Sequence, residues 1–384
     1  MRFSVDAHAI GRKLTGNEVF IRNLLHGFAA QDKTSDFVAY LSSREASASI
    51  PRRFAWRVVA ENPFARLGYD LPRQVRRDAP DLLHVQYTAP VRCPVPVVVN
   101  VHDVSFLEHP EYFPTARAMQ LRWTVVRTMK SAARVVTPSE FSRKAILRNC
   151  RLDESKISVV PYAVSGSLRP LPRENSRAQV EARYGIDGPY ILTVGDLQPR
   201  KNQTGLIHAF EDLIREYPQL PHRLVMVGKD SWYGPRVRRQ AAASPLGHRI
   251  HFTGFVSDDD LLPLYGGCDL FVFPSFYEGF GLPVLEAMAC ARAVACSNTS
   301  ALPEVADAAA ILFDPSSRGE MVRAMRDILL DAELRQRLER LGQQNAALFS
   351  WDETARRHLE VYYEVARVRK PAPVALSSLA GRRS

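Results

Sequence analysis

Short apolar segments alternate with helical segments along almost the whole chain, and this alternation limits the fold more than any other feature of the sequence. In the first half, residues 17–31 and 115–132 carry apolar side chains at helical spacing. Strand-length apolar runs lie around them, at 1–7, 36–42, 81–86, 95–103, 133–139 and 156–164. Strands that alternate with helices form a mostly parallel sheet with helices on both faces. The pattern therefore predicts a doubly wound α/β fold.

The same alternation starts again in the second half. Residues 204–217 have a helical pattern, and further strand patterns occur at 190–195, 222–228, 249–255, 269–275, 292–297 and 310–314. A polar, proline-bearing stretch at 165–176 reads as a linker. A chain of 384 residues is long enough for two domains with separate cores. Two Rossmann-like domains in tandem are predicted, at 1–170 and 177–350.

Composition limits the class of protein and its compartment. The longest apolar runs, such as 94–101, are far shorter than the ~20 residues that span a bilayer. No apolar core of a signal peptide follows Met1, so we expect a cytoplasmic protein. The five cysteines are scattered without a C-x-x-C, which argues against disulfides or a zinc site. A final helical pattern covers 350–370, and residues 371–384 are predicted to be disordered.

The net positive charge of the chain comes from its first half. Residues 1–170 hold 25 lysines and arginines against 15 aspartates and glutamates, whereas residues 171–384 hold 26 of each kind. Such asymmetry indicates nucleic acid, an anionic membrane surface, an acidic substrate, or a solvated surface without a partner. Aromatic residues are not interleaved with the basic ones, which argues against nucleic acid.

The stretch 274–289, PSFYEGFGLPVLEAMA, carries the strongest chemical signal. An apolar strand pattern leads into a glycine-containing loop, and Pro283 then opens a helix. A glycine loop at a helix N-terminus favours a phosphate, because its N–H groups can approach closely and the helix dipole attracts negative charge. The residues predicted to line this phosphate site are Gly279, Phe280, Gly281 and Leu282.

Two carboxylates, Glu278 and Glu286, flank the predicted phosphate site. One precedes it on the loop and the other follows it in the helix, so they could hold hydroxyl groups on either side of a diphosphate. A nucleotide sugar has this layout of sugar, diphosphate and ribose. The alternative is that both glutamates are simply solvated.

This stretch resembles the acidic E-x7-E motif of retaining glycosyltransferases with the GT-B fold, in family GT4 (glycosyl transferases group 1), and it looks nearest to bacterial mannosyltransferases. The resemblance covers about residues 1–365. It implies two Rossmann-like domains with a cleft between them, an N-terminal domain that binds the acceptor and a C-terminal domain that binds the donor. It also implies a final helix at about 351–370 that crosses back onto the first domain. Glu278 would hold the sugar and Glu286 the ribose.

Three further segments resemble parts of the same family. GDLQPRKN (195–202) resembles its phosphate-binding turn, so Lys201 and Arg200 would stabilise the leaving diphosphate. Many relatives carry arginine directly after the glycine, where this chain has Asp196. His102 and Asp103 begin a segment like the acceptor side, and the histidine would orient the sugar or the acceptor. Gly16 lies in a segment like the family's N-terminal glycine turn against the diphosphate.

Other motifs receive structural interpretations. Ser139 and Ser142 are predicted to cap a helix, and the acidic run 258–260 to form the first turn of another, so no metal site is assigned. Residues 11–17 lack the lysine of a P-loop. No G-x-G-x-x-G supports a dinucleotide cofactor. We expect neither a cofactor nor a metal.

The function expected from the resemblance is transfer of a hexose, by best match mannose from GDP-mannose, with retention of configuration. The acceptor would be a saccharide or polyprenyl-linked saccharide in surface polysaccharide synthesis, and the basic half would contact an anionic inner membrane. A nucleotide-sugar epimerase of the same fold remains an alternative. So does a non-catalytic protein that binds a nucleotide sugar, or nucleic acid.

Overall fold

A computed structural model describes residues 1–12 and 15–369. The first half forms a parallel sheet of seven strands in the order β3-β2-β1-β4-β5-β6-β7. Its strands are β1 (Arg2–Asp6), β2 (Asp36–Leu41), β3 (Ala55–Val58), β4 (Leu82–Gln86), β5 (Val97–Asn100), β6 (Arg134–Thr137) and β7 (Ile157–Val159). Strand β3 was not predicted, because this edge strand is mostly exposed and lacks an alternating apolar pattern.

Helices cover both faces of this sheet, as the alternating pattern predicts. They are α1 (Thr15–Gln31), α2 (Pro63–Ala65), α3 (Leu71–Asp78), α4 (Ser105–Glu108), α5 (Thr115–Ser131) and α6 (Glu140–Cys150). Buried valines and leucines of the strands pack against the apolar faces of the helices and form the core of this half.

The second half forms a parallel sheet of six strands in the order β10-β9-β8-β11-β12-β13. Its strands are β8 (Tyr190–Val194), β9 (Arg223–Val227), β10 (Ile250–Gly254), β11 (Leu270–Phe273), β12 (Val294–Ser297) and β13 (Ile311–Phe313). The order in which successive strands join the sheet reverses between β1 and β4 in the first sheet and between β8 and β11 in the second. Ligands of doubly wound sheets bind at such switch points, outside the carboxyl ends of the strands.

The helices of the second half begin inside the predicted linker. They are α7 (Arg173–Tyr184), α8 (Gln203–Glu216), α9 (Gly234–Ala243), α10 (Asp258–Gly267), α11 (Leu282–Ala289), α12 (Leu302–Ala306), α13 (Arg318–Leu330) and α14 (Ala332–Ala346). Extending the linker to residue 176 was wrong, because α7 starts directly after Pro172. Its first turns are polar and hide the helical period, yet Arg173 and Arg177 pair with the buried Asp269 of the second half.

The last helix, α15 (Trp351–Arg369), packs on the first half although it follows α14. Tyr362 is fully buried and its hydroxyl bonds His84 of β4, while Tyr363 donates to Asp32 at 2.6 Å. The predicted disordered tail, 371–384, lies outside the described residues. Among the described helices, none combines the length and the apolar content needed to cross a bilayer. All five cysteines are free thiols.

Candidate active site

A cleft of about 360 Å³ lies between the carboxyl ends of the two sheets. Side chains from both halves line it, including the end of β5, the loop after β8 and the loop between β11 and α11. The cleft brings together every residue that the sequence analysis assigned to the site: Gly16, His102, Asp103, Arg200, Lys201, Glu278, Gly279, Phe280, Gly281, Leu282 and Glu286. Their individual roles remain predictions.

Glu278 lies between the two cations of the 195–202 turn. The Lys201 ammonium lies 2.6 Å from Oε1, and the Arg200 guanidinium lies 2.9 Å from Oε2. Glu278 is 7% exposed and Lys201 is 9% exposed, so water screens these pairs weakly. Burial alone raises the pKa of Glu278, but Arg200 and Lys201 outweigh it and lower the pKa to about 2. The glutamate is therefore a carboxylate at neutral pH.

Lys201 can reach this position because the residue directly after β8, Gly195, has no side chain. Pro199–Lys201 forms a short 3-10 turn, and a Cβ on Gly195 would lie only 3.2 Å from the lysine Cε. The ammonium also lies 4.6 Å from the centre of the Phe273 ring. Asp196, where relatives carry arginine, also lines the cleft, 3.8 Å from Lys229. Burial raises the pKa of Asp196.

The loop after Glu278 comes into close contact with the first half. A Cβ on Gly279 would lie 1.9 Å from the His102 carbonyl oxygen, so only glycine fits there. Gly281 has φ +111°, a left-handed value that favours glycine. Phe280 is buried, and its ring centre lies 5.3 Å from that of Tyr162. Within residues 1–12 and 15–369, the N–H groups of 279–281 have no hydrogen-bond acceptor, as a predicted anion site requires.

Glu286 projects from the second turn of α11 toward a tyrosine that the sequence analysis missed. The Tyr265 hydroxyl donates to Glu286 Oε2 at 2.8 Å, and Tyr265 is fully buried. Burial raises the pKa of Glu286 to about 7, and the bond from Tyr265 acts in the opposite direction. Tyr265 lies 21 positions before its partner, in an apolar helix, so no local pattern marks it.

Both ring nitrogens of His102 are held by the protein. Nε2 lies 2.9 Å from Gln86 Oε1, and Nδ1 bonds the Tyr162 hydroxyl. An amide oxygen only accepts, so with this amide orientation Nε2 carries the hydrogen and Nδ1 accepts from the tyrosine. Burial lowers the pKa of His102 to about 4, which keeps the ring neutral. Asp103 accepts from Ser105 through both its N–H and its hydroxyl.

Two expectations about local structure need correction. Gly16 lies in the first turn of α1 rather than in a turn before it. Among the described residues, apart from its chain neighbours and the backbone of its own helix, no atom lies within 4 Å of a Cβ placed there. Ser139 caps α6 as predicted, but Ser142 does not act as a cap. Both serine hydroxyls instead donate across the cleft to the Gly279 carbonyl, at 2.7 and 3.1 Å. These contacts depend on the packing of the two halves and leave no sequence signal.

A second cavity of about 690 Å³ adjoins the cleft on the side of the first half. The two share Asn17, Tyr87, Asp103, Gln198 and Arg200. This position, next to the predicted donor site and lined mainly by the first half, is where an acceptor is expected.

The two sheets and the cleft between their carboxyl ends define the architecture as the GT-B fold. The structure superposes on a sucrose-phosphate synthase from Thermosynechococcus elongatus with a TM-score of 0.77 at 19% identity, covering 96% of this chain and 100% of that one. It also superposes on WaaG, a glycosyltransferase involved in lipopolysaccharide biosynthesis, with a TM-score of 0.74 at 16% identity, covering 94% and 99%. At these identities the likeness concerns the fold, and it confirms the predicted architecture.

The family follows from the sequence. Residues 176–345 match "Glycosyl transferases group 1" and residues 14–165 match "Glycosyltransferase Family 4". The chain is 32% identical to an Escherichia coli O-antigen chain mannosyltransferase B over 266 residues, which is 69% of each chain. It is 29% identical to the E. coli serotype-specific mannosyltransferase WbdA over 298 residues, 74% of this chain and only 36% of that protein. The chain therefore belongs to glycosyltransferase family 4.

Nucleoside diphosphate binding is expected to strengthen about fivefold as pH rises from about 6 to about 8, because Glu286 ionises near pH 7 and a carboxylate accepts stronger hydrogen bonds. The variant Glu286→Gln should lack this component. Calorimetry measures the dissociation constants of wild type and Glu286→Gln at each pH. Their ratio cancels the effect of the ligand's own titration. A ratio that stays constant with pH would contradict the prediction.

Replacing Tyr265 is expected to move this transition to higher pH. The hydrogen bond from Tyr265 lowers the pKa of Glu286, so Tyr265→Phe should raise that pKa above 7.

The stability of the fold is expected to change with pH in the opposite direction to ligand binding. A carboxyl with a raised pKa stabilises the folded state most at low pH, and this contribution is lost as pH rises through 7. Thermal unfolding of wild type and Glu286→Gln at several pH values measures this loss.

Proposed function

We propose that the protein transfers mannose from GDP-mannose to a saccharide or lipid-linked saccharide acceptor in surface polysaccharide synthesis, with retention of configuration. The observation that carries the proposal is Glu278, a buried carboxylate between Lys201 and Arg200 beside a glycine loop at a helix N-terminus. Two relatives named as mannosyltransferases support the choice of sugar.

The proposed chemistry needs no covalent intermediate with the protein. The bond between the sugar C1 and the diphosphate oxygen breaks, and the acceptor oxygen bonds C1 on the same face. The acceptor proton passes to the leaving phosphate. Lys201, Arg200 and the N–H groups of 279–281 would stabilise the charge that develops on that phosphate. Neither a metal nor a cofactor is part of this scheme.

Thermal unfolding with GDP, UDP, dTDP and ADP, without added metal, tests the donor assignment. GDP at about 100 times its dissociation constant should stabilise the wild type by ~2.7 kcal/mol. The Glu286→Ala variant should show a weaker effect. Stabilisation by UDP alone would contradict the choice of base. Turnover of GDP-mannose to an altered sugar without an acceptor would identify an epimerase instead.

The proposal includes contact with an anionic membrane. The contact surface, which we call the acceptor face, consists of the exposed side chains of Phe64, Val91, Met119 and Trp123 and of the nearby Arg117 and Arg122. Phe64, Val91 and Trp123 line the second cavity, and they are 79%, 63% and 64% exposed. Met119 is also exposed, and Arg117 and Arg122 lie beside it on α5. Exposed apolar and aromatic side chains with arginines nearby suit a headgroup region, where rings insert and guanidinium groups meet phosphates.

The variant Trp123→Ala should bind less to vesicles that contain anionic lipid, by about threefold in sedimentation. Trp232→Ala is the matched control, because Trp232 is 56% exposed but belongs to the second half. Equal binding of both variants, or equal binding of the wild type to neutral and anionic vesicles, would show that the acceptor face does not contact lipid.

A further inference from the structure

The carbonyl group of Gly279 is the point where the first half holds the loop that carries Glu278. Ser139 Oγ donates to this oxygen at 2.7 Å and Ser142 Oγ at 3.1 Å. Both serines are fully buried and start α6 in the first half. The Ser142 N–H also donates to Ser139 Oγ, so the geometry of this helix N-terminus sets the direction of both hydroxyls. The position of α6 therefore determines where the loop lies.

The position of α6 depends in turn on a glutamate of the other half. Glu304 of α12 accepts from the N–H of Glu140 at 2.9 Å and from the N–H of Phe141 at 3.2 Å. One carboxylate thus binds two free N–H groups of the first turn of α6, where the helix dipole also favours a negative charge. Along the chain, Glu304 lies 164 positions from Glu140 and 163 positions from Phe141.

The segment before Glu304 is bonded to the backbone of Glu278 itself. The Glu278 N–H donates to Ser300 Oγ at 3.0 Å, and the Ala301 N–H donates to the Glu278 carbonyl at 3.3 Å. The contacts therefore form a closed ring. It runs from Glu278 through α12 to Glu304, across the cleft to α6, and back across the cleft to Gly279.

We propose that Glu304, Ser139 and Ser142 form an interdomain clasp that places the Glu278 carboxylate when the cleft is closed. Glu304 is a positioning residue in this proposal, since it acts through α6 and the loop. The clasp couples cleft closure to the site, because the hydroxyls of Ser139 and Ser142 can bond the Gly279 carbonyl only when both halves meet. In this arrangement Gly279 lies against the His102 carbonyl, and the Ser142 hydroxyl lies 3.4 Å from the same carbonyl oxygen.

Kinetics of Glu304→Ala provide the first test. Breaking the clasp should lower kcat about tenfold, the size expected for hydrogen bonds to a charged group, while the affinity for the nucleoside diphosphate changes less than twofold. Glu304→Gln should recover part of the loss, because it keeps one acceptor oxygen. Glu333→Ala is the matched control, since Glu333 is an exposed glutamate in the first turn of α14. If Glu304→Ala loses kcat and affinity for the nucleoside diphosphate by equal factors, the proposal is overturned.

Amide hydrogen exchange gives a test that needs no sugar donor, so it stands even if the choice of mannose is wrong. Peptides spanning 274–282 should exchange severalfold faster in Glu304→Ala, because the N–H of Glu278 is bonded within the ring. Ser142→Ala should show the same change even if the Glu304 variant fails to fold. Faster exchange confined to residues 140 and 141 would show that Glu304 only caps α6, and would refute the clasp.

Discussion

Replacing Glu278 with glutamine is expected to lower kcat on the order of 10³-fold, the largest effect of any single substitution in the cleft. Glutamine keeps the size of the side chain but removes the charge between Lys201 and Arg200. It leaves the buried Lys201 and the partly buried Arg200 without their carboxylate, which typically costs about 3 kcal/mol of unfolding free energy. Steady-state kinetics and chemical denaturation measure the two effects, with Glu333→Gln as the exposed control.

The pH profile of this variant separates loss of charge from general damage. Burial lowers the pKa of Lys201, and Glu278 partly offsets this effect. Without the carboxylate the lysine should lose its proton at lower pH, so activity of Glu278→Gln should decline earlier on the alkaline side. A double-mutant cycle with Lys201→Met should be strongly non-additive, because the residues act as a pair. Independent, additive losses would contradict this interpretation.

The variant Gly279→Ala is expected to lower kcat/KM on the order of 100-fold, because a small displacement of the Glu278 loop misplaces the reacting groups. The added Cβ would lie 1.9 Å from the His102 carbonyl oxygen and 2.8 Å from Asp103 Cβ. Either the loop moves or the two halves separate. Overpacking of this kind destabilises a protein by about 1–3 kcal/mol.

Gly16→Ala is the matched control for stability. In the part of the chain that the structure describes, no atom beyond its chain neighbours and the backbone of its own helix lies within 4 Å of the added methyl group. Alanine in a helix is also up to about 1 kcal/mol more favourable than glycine, so this variant should unfold at an equal or higher temperature. Differential scanning calorimetry and kinetics of both variants test the prediction. If Gly279→Ala unfolds and turns over like the wild type, the close approach to His102 has no part in closure.

Secondary structure and the location of the cleft were predictable from the sequence. Apolar runs of strand length and helical periodicity are local patterns, and parallel sheets of this kind bind ligands where strand order reverses. The glycines, Pro283 and the two carboxylates lie within one stretch of sixteen residues, 274–289, so their proximity follows from chain connectivity. The basic residues Arg200 and Lys201 lie in the short turn that follows β8, so chain connectivity places them at the same edge of the sheet.

Contacts between distant segments were not predictable. Tyr265 meets Glu286 and Ser142 reaches Gly279, yet neither residue differs locally from an ordinary core or capping residue. The return of α15 to the first half was implied by the family resemblance and by no local pattern. The edge strand β3 was missed because half-exposed residues need no apolar alternation.

The sequence by itself determined the two α/β sheets, the family and the residues that meet in the cleft from 274–289 and 195–202, because backbone preference, periodicity and motif spacing act over a few residues. Only the tertiary structure decided which groups hold that site in place. The partners of Glu278, Glu286 and Gly279 lie on other elements, and the packing of two sheets and their helices sets those distances. The buried hydrogen bonds between the halves form only once both halves have folded against each other. The same is true of the steric limit at Gly279, where a Cβ would lie 1.9 Å from the His102 carbonyl oxygen.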